Sequence, residues 1–146
     1  KSFERMLHFL NLMNIIGSSQ TNIHLASNEY IKKRFTTINK RIVAIHEYLM
    51  NNYREEVDLQ KLARLVNMAE GSLCRFFKMK MGITLFDYLN QIKTDFACKL
   101  LMDPDMSILQ ICLDCGFNNS SNFNKQFKKR TGVTPTEYRK RFHGLI

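Results

Sequence analysis

Two short runs of this chain carry side chains of the kind that hydrogen-bond to the edges of nucleic-acid bases. Over 69–81, helical spacing places Glu70, Gly71, Ser72, Cys74, Arg75 and Lys78 outward and Leu73, Phe76 and Phe77 inward. Over 120–131 it places Ser120, Ser121, Asn124 and Lys125 outward and Phe123 and Phe127 inward. An arginine fork bonds guanine O6 and N7 together, and an asparagine amide matches adenine N6 and N7. Arg75 on the first run and Ser121, Asn124 and Lys125 on the second are therefore the leading candidates for base contact, with Ser120 beside them. The plainer accounts are helix-start chemistry for the serines and a solvated or phosphate-bound charge for the arginine. Ser72, Lys78, Lys128, Lys129, Arg130 and Arg139, with Lys140 and Arg141, form a candidate phosphate clamp, joined by backbone N–H groups at helix starts.

The charge distribution favours a polyanionic partner. The formal net charge is +9 and the pI is near 9.6. Residues 1–36 hold five basic and two acidic residues, 37–105 ten and nine, and 106–146 seven and two. The resulting excesses of +3, +1 and +5 put the basic face in the last quarter of the chain. Simple solubility is the competing account of such an excess. No apolar run approaches the roughly 20 residues needed to span a bilayer, which argues against a membrane role. Four cysteines, Cys74, Cys98, Cys112 and Cys115, in a chain without a signal-peptide pattern fit a reduced, cytosolic protein.

Rigid elements must hold these side chains, and the apolar spacing predicts an all-α chain. A first stripe of Phe3, Met6, Leu7, Leu10 and Met13 stops at Gly17, and polar residues over 18–28 read as a linker. A helix over about 38–53 turns Ile42, Ile45, Leu49 and Tyr53 inward. Asp58 caps a short helix that ends at Asn67, a residue that tolerates the left-handed conformation. The next helix, about 69–81, ends at Gly82, and Thr84 caps a long helix over 85–102 that Asp103-Pro104 halts. Ser107 and Gln110 have the spacing of a capping box and open a helix that ends at Gly116. Asn119 caps the helix over 120–131, which stops at Gly132. Thr134-Pro135-Thr136-Glu137 then opens a last helix with a cap, a first-turn proline and a glutamate three residues on.

These elements repeat. At an offset of 49, Leu62 pairs with Ile111, Ala63 with Cys112 and Asn67 with Gly116. After one inserted residue, Leu73 pairs with Phe123, Phe77 with Phe127, Lys78 with Lys128, Gly82 with Gly132, Thr84 with Thr134 and Tyr88 with Tyr138. Each copy has a short helix with a small residue at its middle, a tight turn, and a second helix with one polar face, which is how a helix-turn-helix is built. The helix between the copies, about 18 residues or roughly 27 Å, is of the order of the ~34 Å between successive major-groove openings.

The stretch GFNNSSNFNKQFKKRTGVTPTEYRKRF, preceded by SILQICLDC and by LARLVNMAEGSLCRFFKMKMGITLFDYL, resembles the AraC/XylS family of bacterial transcription regulators over about 39–142. The resemblance implies two homeodomain-like helix-turn-helix subdomains, over about 58–82 and 107–132, joined by the helix at 85–102 and closed by one at 135–142. It implies a double-stranded DNA partner, contact with RNA polymerase, a bacterial cytoplasmic setting, and a 37–146 DNA-binding domain. Residues 1–36 then stand as a remnant helix and linker of a sensor or dimerisation domain, through which two copies would pair, with packing of the first helix back on the domain as the plainer alternative. Base contacts fall near Gly71, Cys74 and Arg75, although glycine has no side chain and cysteine is a weak hydrogen-bonding group. Ala69 stands where a capping serine is common in the family, so the first head should read little sequence, or read it through Arg75.

Competing chemistries have thinner support. Cys112-x-x-Cys115 lacks a second ligand pair at zinc spacing, and Cys112 aligns with the packing residue Ala63, so neither a metal nor a cofactor is expected. No nucleophile with a base and no carboxylate pair stands out, and no cysteine has the surroundings of a methyl acceptor, so no enzyme activity is expected. The remaining alternative is a helical protein-interaction module with sequence-blind DNA affinity.

Overall fold

The computed structural model describes residues 28–143, with side chains from 36 to 142, so the stripe expected over 3–13 lies outside the described residues. The described residues form seven helices and no strand: α1 (Asn28–Asn52), α2 (Leu59–Leu65), α3 (Glu70–Met81), α4 (Leu85–Leu100), α5 (Ile108–Asp114), α6 (Ser120–Thr131) and α7 (Pro135–His143). The chain divides between Arg41 and Ile42 into two compact units, and the described part of the first is the opening stretch of α1. That helix begins ten residues before the expected start at 38. Ile31 and Phe35 continue the three- and four-residue spacing of Ile38, Ile42, Ile45 and Leu49, and Lys32, Lys33 and Arg34 are good helix formers.

The second unit, from Ile42 onward, holds both copies of the repeat. Its helix starts are set by the caps that the sequence offers. Asp58 Oδ1 accepts from the Lys61 N–H at 2.9 Å, and the Asn119 side chain accepts from the Asn122 N–H at 2.8 Å. At α7 the capping box is complete: Glu137 Oε2 accepts from the Thr134 N–H at 2.8 Å, and Thr134 Oγ1 accepts from the Glu137 N–H at 3.3 Å. At α5 it is half formed. Ser107 Oγ accepts from the Gln110 N–H at 3.0 Å, but the Gln110 amide donates to Asp114 at 2.8 Å instead of reaching back. Ala69 makes no side-chain cap bond although its backbone, φ −71° and ψ 144°, already has cap geometry. Ala69→Ser is therefore expected to add about 1 kcal/mol and raise the melting temperature by several degrees, read by the loss of helical circular dichroism on heating.

The two turns match bond for bond. The Asn67 N–H donates to Arg64 O at 3.1 Å and the Met68 N–H to Ala63 O at 2.9 Å, while 49 residues later the Gly116 N–H donates to Leu113 O at 2.8 Å and the Phe117 N–H to Cys112 O at 3.1 Å. Asn67 (φ 51°) and Gly116 (φ 73°) both take the left-handed conformation there. Only Gly116 is sterically required, because a Cβ at that position would lie 2.5 Å from Arg54 O and 2.7 Å from Arg54 Cα. Ala63 and Cys112, both buried, are the small residues at the middle of α2 and α5.

The core is continuous with this repeat. Leu73 and Phe77 of α3 and Phe123 and Phe127 of α6 are fully buried. Phe77 meets Tyr88 with ring centroids 5.4 Å apart, and Phe127 meets Tyr138 at the same 5.4 Å. Around α6 the cluster is completed by Ala97, Leu101, Ile111, Cys112, Cys115 and Phe117. The Tyr53 and Phe96 rings stack at 4.2 Å, joining α1's C-terminal end to α4. The α4 side chain Lys93, buried beneath the second turn, donates to Gly116 O at 2.5 Å, with its ammonium 5.5 Å from the Phe117 ring centre.

His46 Nδ1 lies 2.8 Å from the Tyr88 hydroxyl. Burial pulls the imidazole below its ordinary 6.5, an effect that neighbouring Glu47 opposes, and pushes the Tyr88 phenol up to about 12. Because the unfolded chain takes up the proton more readily, the stability from neutral His46 is full above about pH 6.5 and is lost as pH falls through the lower folded-state value. The melting temperature is expected to fall as pH drops below about 6.5, and His46→Gln to flatten that slope.

Candidate nucleic-acid interface

Each recognition face is held from behind by two aromatic or aliphatic anchors. With Leu73 and Phe77 inside, α3 leaves Gly71, Arg75 and Lys78 exposed on one face, while Ser72 and Cys74 are half-buried at its margins. Phe76, expected inward, is also half-buried. Nothing stands within 4 Å of a Cβ placed on Gly71, so this part of the face is open. Arg75 lies along its own helix, its Nε donating to Gly71 O at 3.2 Å. With Phe123 and Phe127 inside, α6 exposes Ser120, Ser121, Asn124, Lys125 and Lys128.

Two residues of α6 were missed by the reading of the sequence. Asn122 is exposed and Gln126 half-buried, and the Gln126 amide donates to Asn122 Oδ1 at 3.5 Å on the flank next to Ser121 and Lys125. Their i, i+4 spacing and amide chemistry, the same features that single out Asn124, were the available signal.

The basic cluster divides in two. Lys128, Lys140 and Arg141 are exposed. Three other members of the expected phosphate clamp are engaged with the scaffold. Arg130 forms a two-bond pair with Asp95 of α4, Nε to Oδ1 at 2.9 Å and Nη2 to Oδ2 at 2.8 Å, and its side chain is only 21% exposed. Arg139 Nη2 donates to Met106 O at 2.6 Å, and its Nε is buried without a protein partner. Lys129 pairs with Asp87 of α4 at 3.3 Å, and this pair is exposed, at 67% and 44%. The carboxylates lie 42 and 35 residues from their partners in the chain, and proximity in the fold brings them together. The Thr84 hydroxyl and the Lys129 ammonium hold the Asp87 carboxyl below its ordinary range. A groove between α4 and α6, lined by Asn90, Gln91, Thr94 and Gln126, runs between these two ion pairs.

Two of the four cysteines lie in the second core. Cys112 and Cys115 are buried in the second core with free thiols; burial pushes Cys115 up to about 12, and raises Cys98 and Cys112 as well. Such thiols are protonated at neutral pH and are poor nucleophiles. Among the described residues no three His, Cys, Asp or Glu side chains gather as a metal site. Among them, too, no helix is long and apolar enough to cross a membrane.

Two repeated turns, each followed by a helix anchored inward and polar outward, define a tandem helix-turn-helix DNA-binding domain. The chain belongs to the AraC-type helix-turn-helix family: it matches the family described as "Helix-turn-helix domain" over residues 62–141. It is 35% identical over 95 residues to the bifunctional transcriptional activator/DNA repair enzyme AdaA of Bacillus subtilis (strain 168), covering 65% of this chain and 45% of that protein. Its fold is similar to the crystal structure of a transcriptional regulator with an AraC-type DNA-binding domain from Chromobacterium violaceum, with a TM-score of 0.65 and 25% identity over 71% of this chain and 93% of that one. The DNA-binding domain of the global transcriptional factor AdpA, solved with a target DNA, has the same fold, with a TM-score of 0.62 and 20% identity over 75% and 95% of the two chains. The chain spans 16 to 45% of the length of the curated relatives compared, which are mainly transcriptional regulators.

Proposed function

We propose that this chain is the DNA-reading part of a bacterial transcription regulator and that α3 and α6 enter successive major-groove segments of one duplex together. The observation that carries this reading is the bond-for-bond repetition of the two turns and their aromatic anchors, which mounts two polar helix faces on one scaffold in the same way. α4, with 16 residues, is about 24 Å long, of the order of the ~34 Å groove repeat. Arg75 reads the first groove segment almost alone. Ser120, Ser121, Asn124 and Lys125, with Asn122 and Gln126 beside them, read the second. Lys78 and Lys128, at matching places in the repeat, contact phosphate. Ser72, half-buried, makes a weaker phosphate contact, whereas Lys129 is held by Asp87 in place of a phosphate. Arg130 and Arg139 serve the interface indirectly, fixing α6 against α4 and α7 against the loop before α5.

In the same reading the chain works in the cytoplasm without catalytic activity of its own, a reading that the burial of Cys112 and Cys115 supports. Pairing of two copies and contact with RNA polymerase belong to the whole regulator. Selection from a pool of random duplexes, with sequencing of the retained DNA at two salt concentrations, tests the central claim. Two sequence blocks about one helical turn apart are expected. Sequence-blind retention that vanishes at moderate salt would leave only an electrostatic patch.

A further inference from the structure

The three consecutive cations that close α6, Lys128, Lys129 and Arg130, are a sequence-blind attraction for any duplex, yet α4 aims two carboxylates at them. We infer that Asp87 limits the sequence-independent affinity of the domain for DNA: its carboxylate occupies Lys129 and so withholds one cation from the phosphates of any duplex. This rests on the reading of the chain as a DNA-binding domain.

Three observations carry the inference. Lys129 is the exposed member of the run whose ammonium is shared with a carboxylate, at 3.3 Å, while its own side chain remains 67% exposed and within reach of a phosphate. It lies on the flank of α6 beside Lys125, next to the reading face and not behind it. Asp87 is also placed between the two heads. It follows the turn that ends α3, its carboxyl is lowered further by Lys78 at the end of that helix, and Thr84 Oγ1 fixes it with a 2.7 Å hydrogen bond. The carboxylate is therefore anchored and ionised where two basic helix ends approach. The matching residue of the repeat, Glu137, turns back onto the Thr134 N–H and hydroxyl and, although Lys128 lowers its carboxyl as Lys78 lowers that of Asp87, it forms no ion pair with a lysine among the described residues, so the role belongs to Asp87 and not to the capping position as such.

A phosphate approaching Lys129 has to displace Asp87, and with its charge already met the lysine adds almost nothing to the counterion release on binding. Each full phosphate contact contributes about −0.9 to the slope of log affinity against log salt. The test measures that slope for the whole chain on a random-sequence duplex, so no operator need be known. Asp87→Asn keeps the partner for Thr84 and removes the charge. It is expected to steepen the slope by about 0.9 and to raise affinity several-fold at 0.1 M salt. Lys129→Gln, which leaves the cap untouched, is expected to leave the wild-type slope unchanged, and the double variant to return to it. A slope unmoved by Asp87→Asn, a wild-type slope flattened by Lys129→Gln, or a double variant as steep as Asp87→Asn would each overturn the inference while leaving DNA binding in place. Absence of wild-type binding to any duplex at low salt would instead sink the DNA-binding reading, and this inference with it. Thermal melts of each variant separate a lost fold from a changed interface.

Discussion

Gly116→Ala is expected to cost at least about 3 kcal/mol and to lower the melting temperature by more than 10 °C, with loss of DNA binding under conditions where the wild type binds. Two costs add. An alanine at φ 73° pays roughly 1 kcal/mol for the left-handed conformation, and its methyl would lie 2.5 to 2.8 Å from the backbone of Arg54. A flexible side chain could swing aside, but the wall here is main chain at the end of α1, and it is held by the Tyr53–Phe96 stack. Any shift of residue 116 also disturbs the carbonyl that receives the buried Lys93 ammonium. Asn67→Gly is the control: the same turn in the first copy, at an exposed residue, is expected to change stability by less than about 0.5 kcal/mol. A loss below about 1 kcal/mol in Gly116→Ala would mean that the α1 end yields and that the close approach constrains nothing.

Arg75→Ala and Asn124→Ala are expected to reduce affinity for a selected operator by roughly 5- to 150-fold each, the range of one good two-bond base contact. The signatures should differ by head. Arg75→Ala is expected to erase preference across the first sequence block, because Gly71 has no side chain and the half-buried Cys74 is a weak hydrogen-bonding group. Asn124→Ala is expected to relax one position of the second block only, since Ser121, Lys125 and Asn122 remain. Sequencing of DNA retained by each variant reads this out directly. If Arg75→Ala lowers affinity equally on all sequences, Arg75 is a phosphate contact and the first head a docking foot.

Most of the scaffold was readable because its decisive features are local. Asp58, Thr84, Asn119 and Thr134 cap the helices that their spacing announces, and Asn67, Gly82, Gly116 and Gly132 take the positive φ that ends them. The start of α1 was read late because a basic, polar stretch without a cap signal hides an apolar spacing that Ile31 and Phe35 continue. The outward face of α6 followed from periodicity alone, and that of α3 at Gly71, Arg75 and Lys78, whereas Ser72, Cys74 and Phe76 are all half-buried. What composition could not supply was the state of the charges. Lys129, Arg130 and Arg139 look alike in sequence, yet one is shared with Asp87, one locked by Asp95 and one spent on the Met106 carbonyl. Their partners come from distant segments, so only the assembled fold decides which cations face solvent.

The double duty of α4 has a consequence for how this molecule can change. Its first turn completes the first reading head as α7 completes the second, with Thr84 and Tyr88 matching Thr134 and Tyr138, while Ala97 and the following Leu101 belong to the second core. The two heads therefore share an axle. One residue inserted into α4 advances the second head by about 1.5 Å and also swings it by about 100°, whereas one base pair added to a duplex advances the next groove by about 3.4 Å and turns it by roughly 35°. The two screws have different pitches, so if both heads engage one duplex as proposed, no small insertion keeps them both in register. Under the two-headed reading, operators for this domain are expected to conserve the distance between their two blocks more strictly than the bases within them.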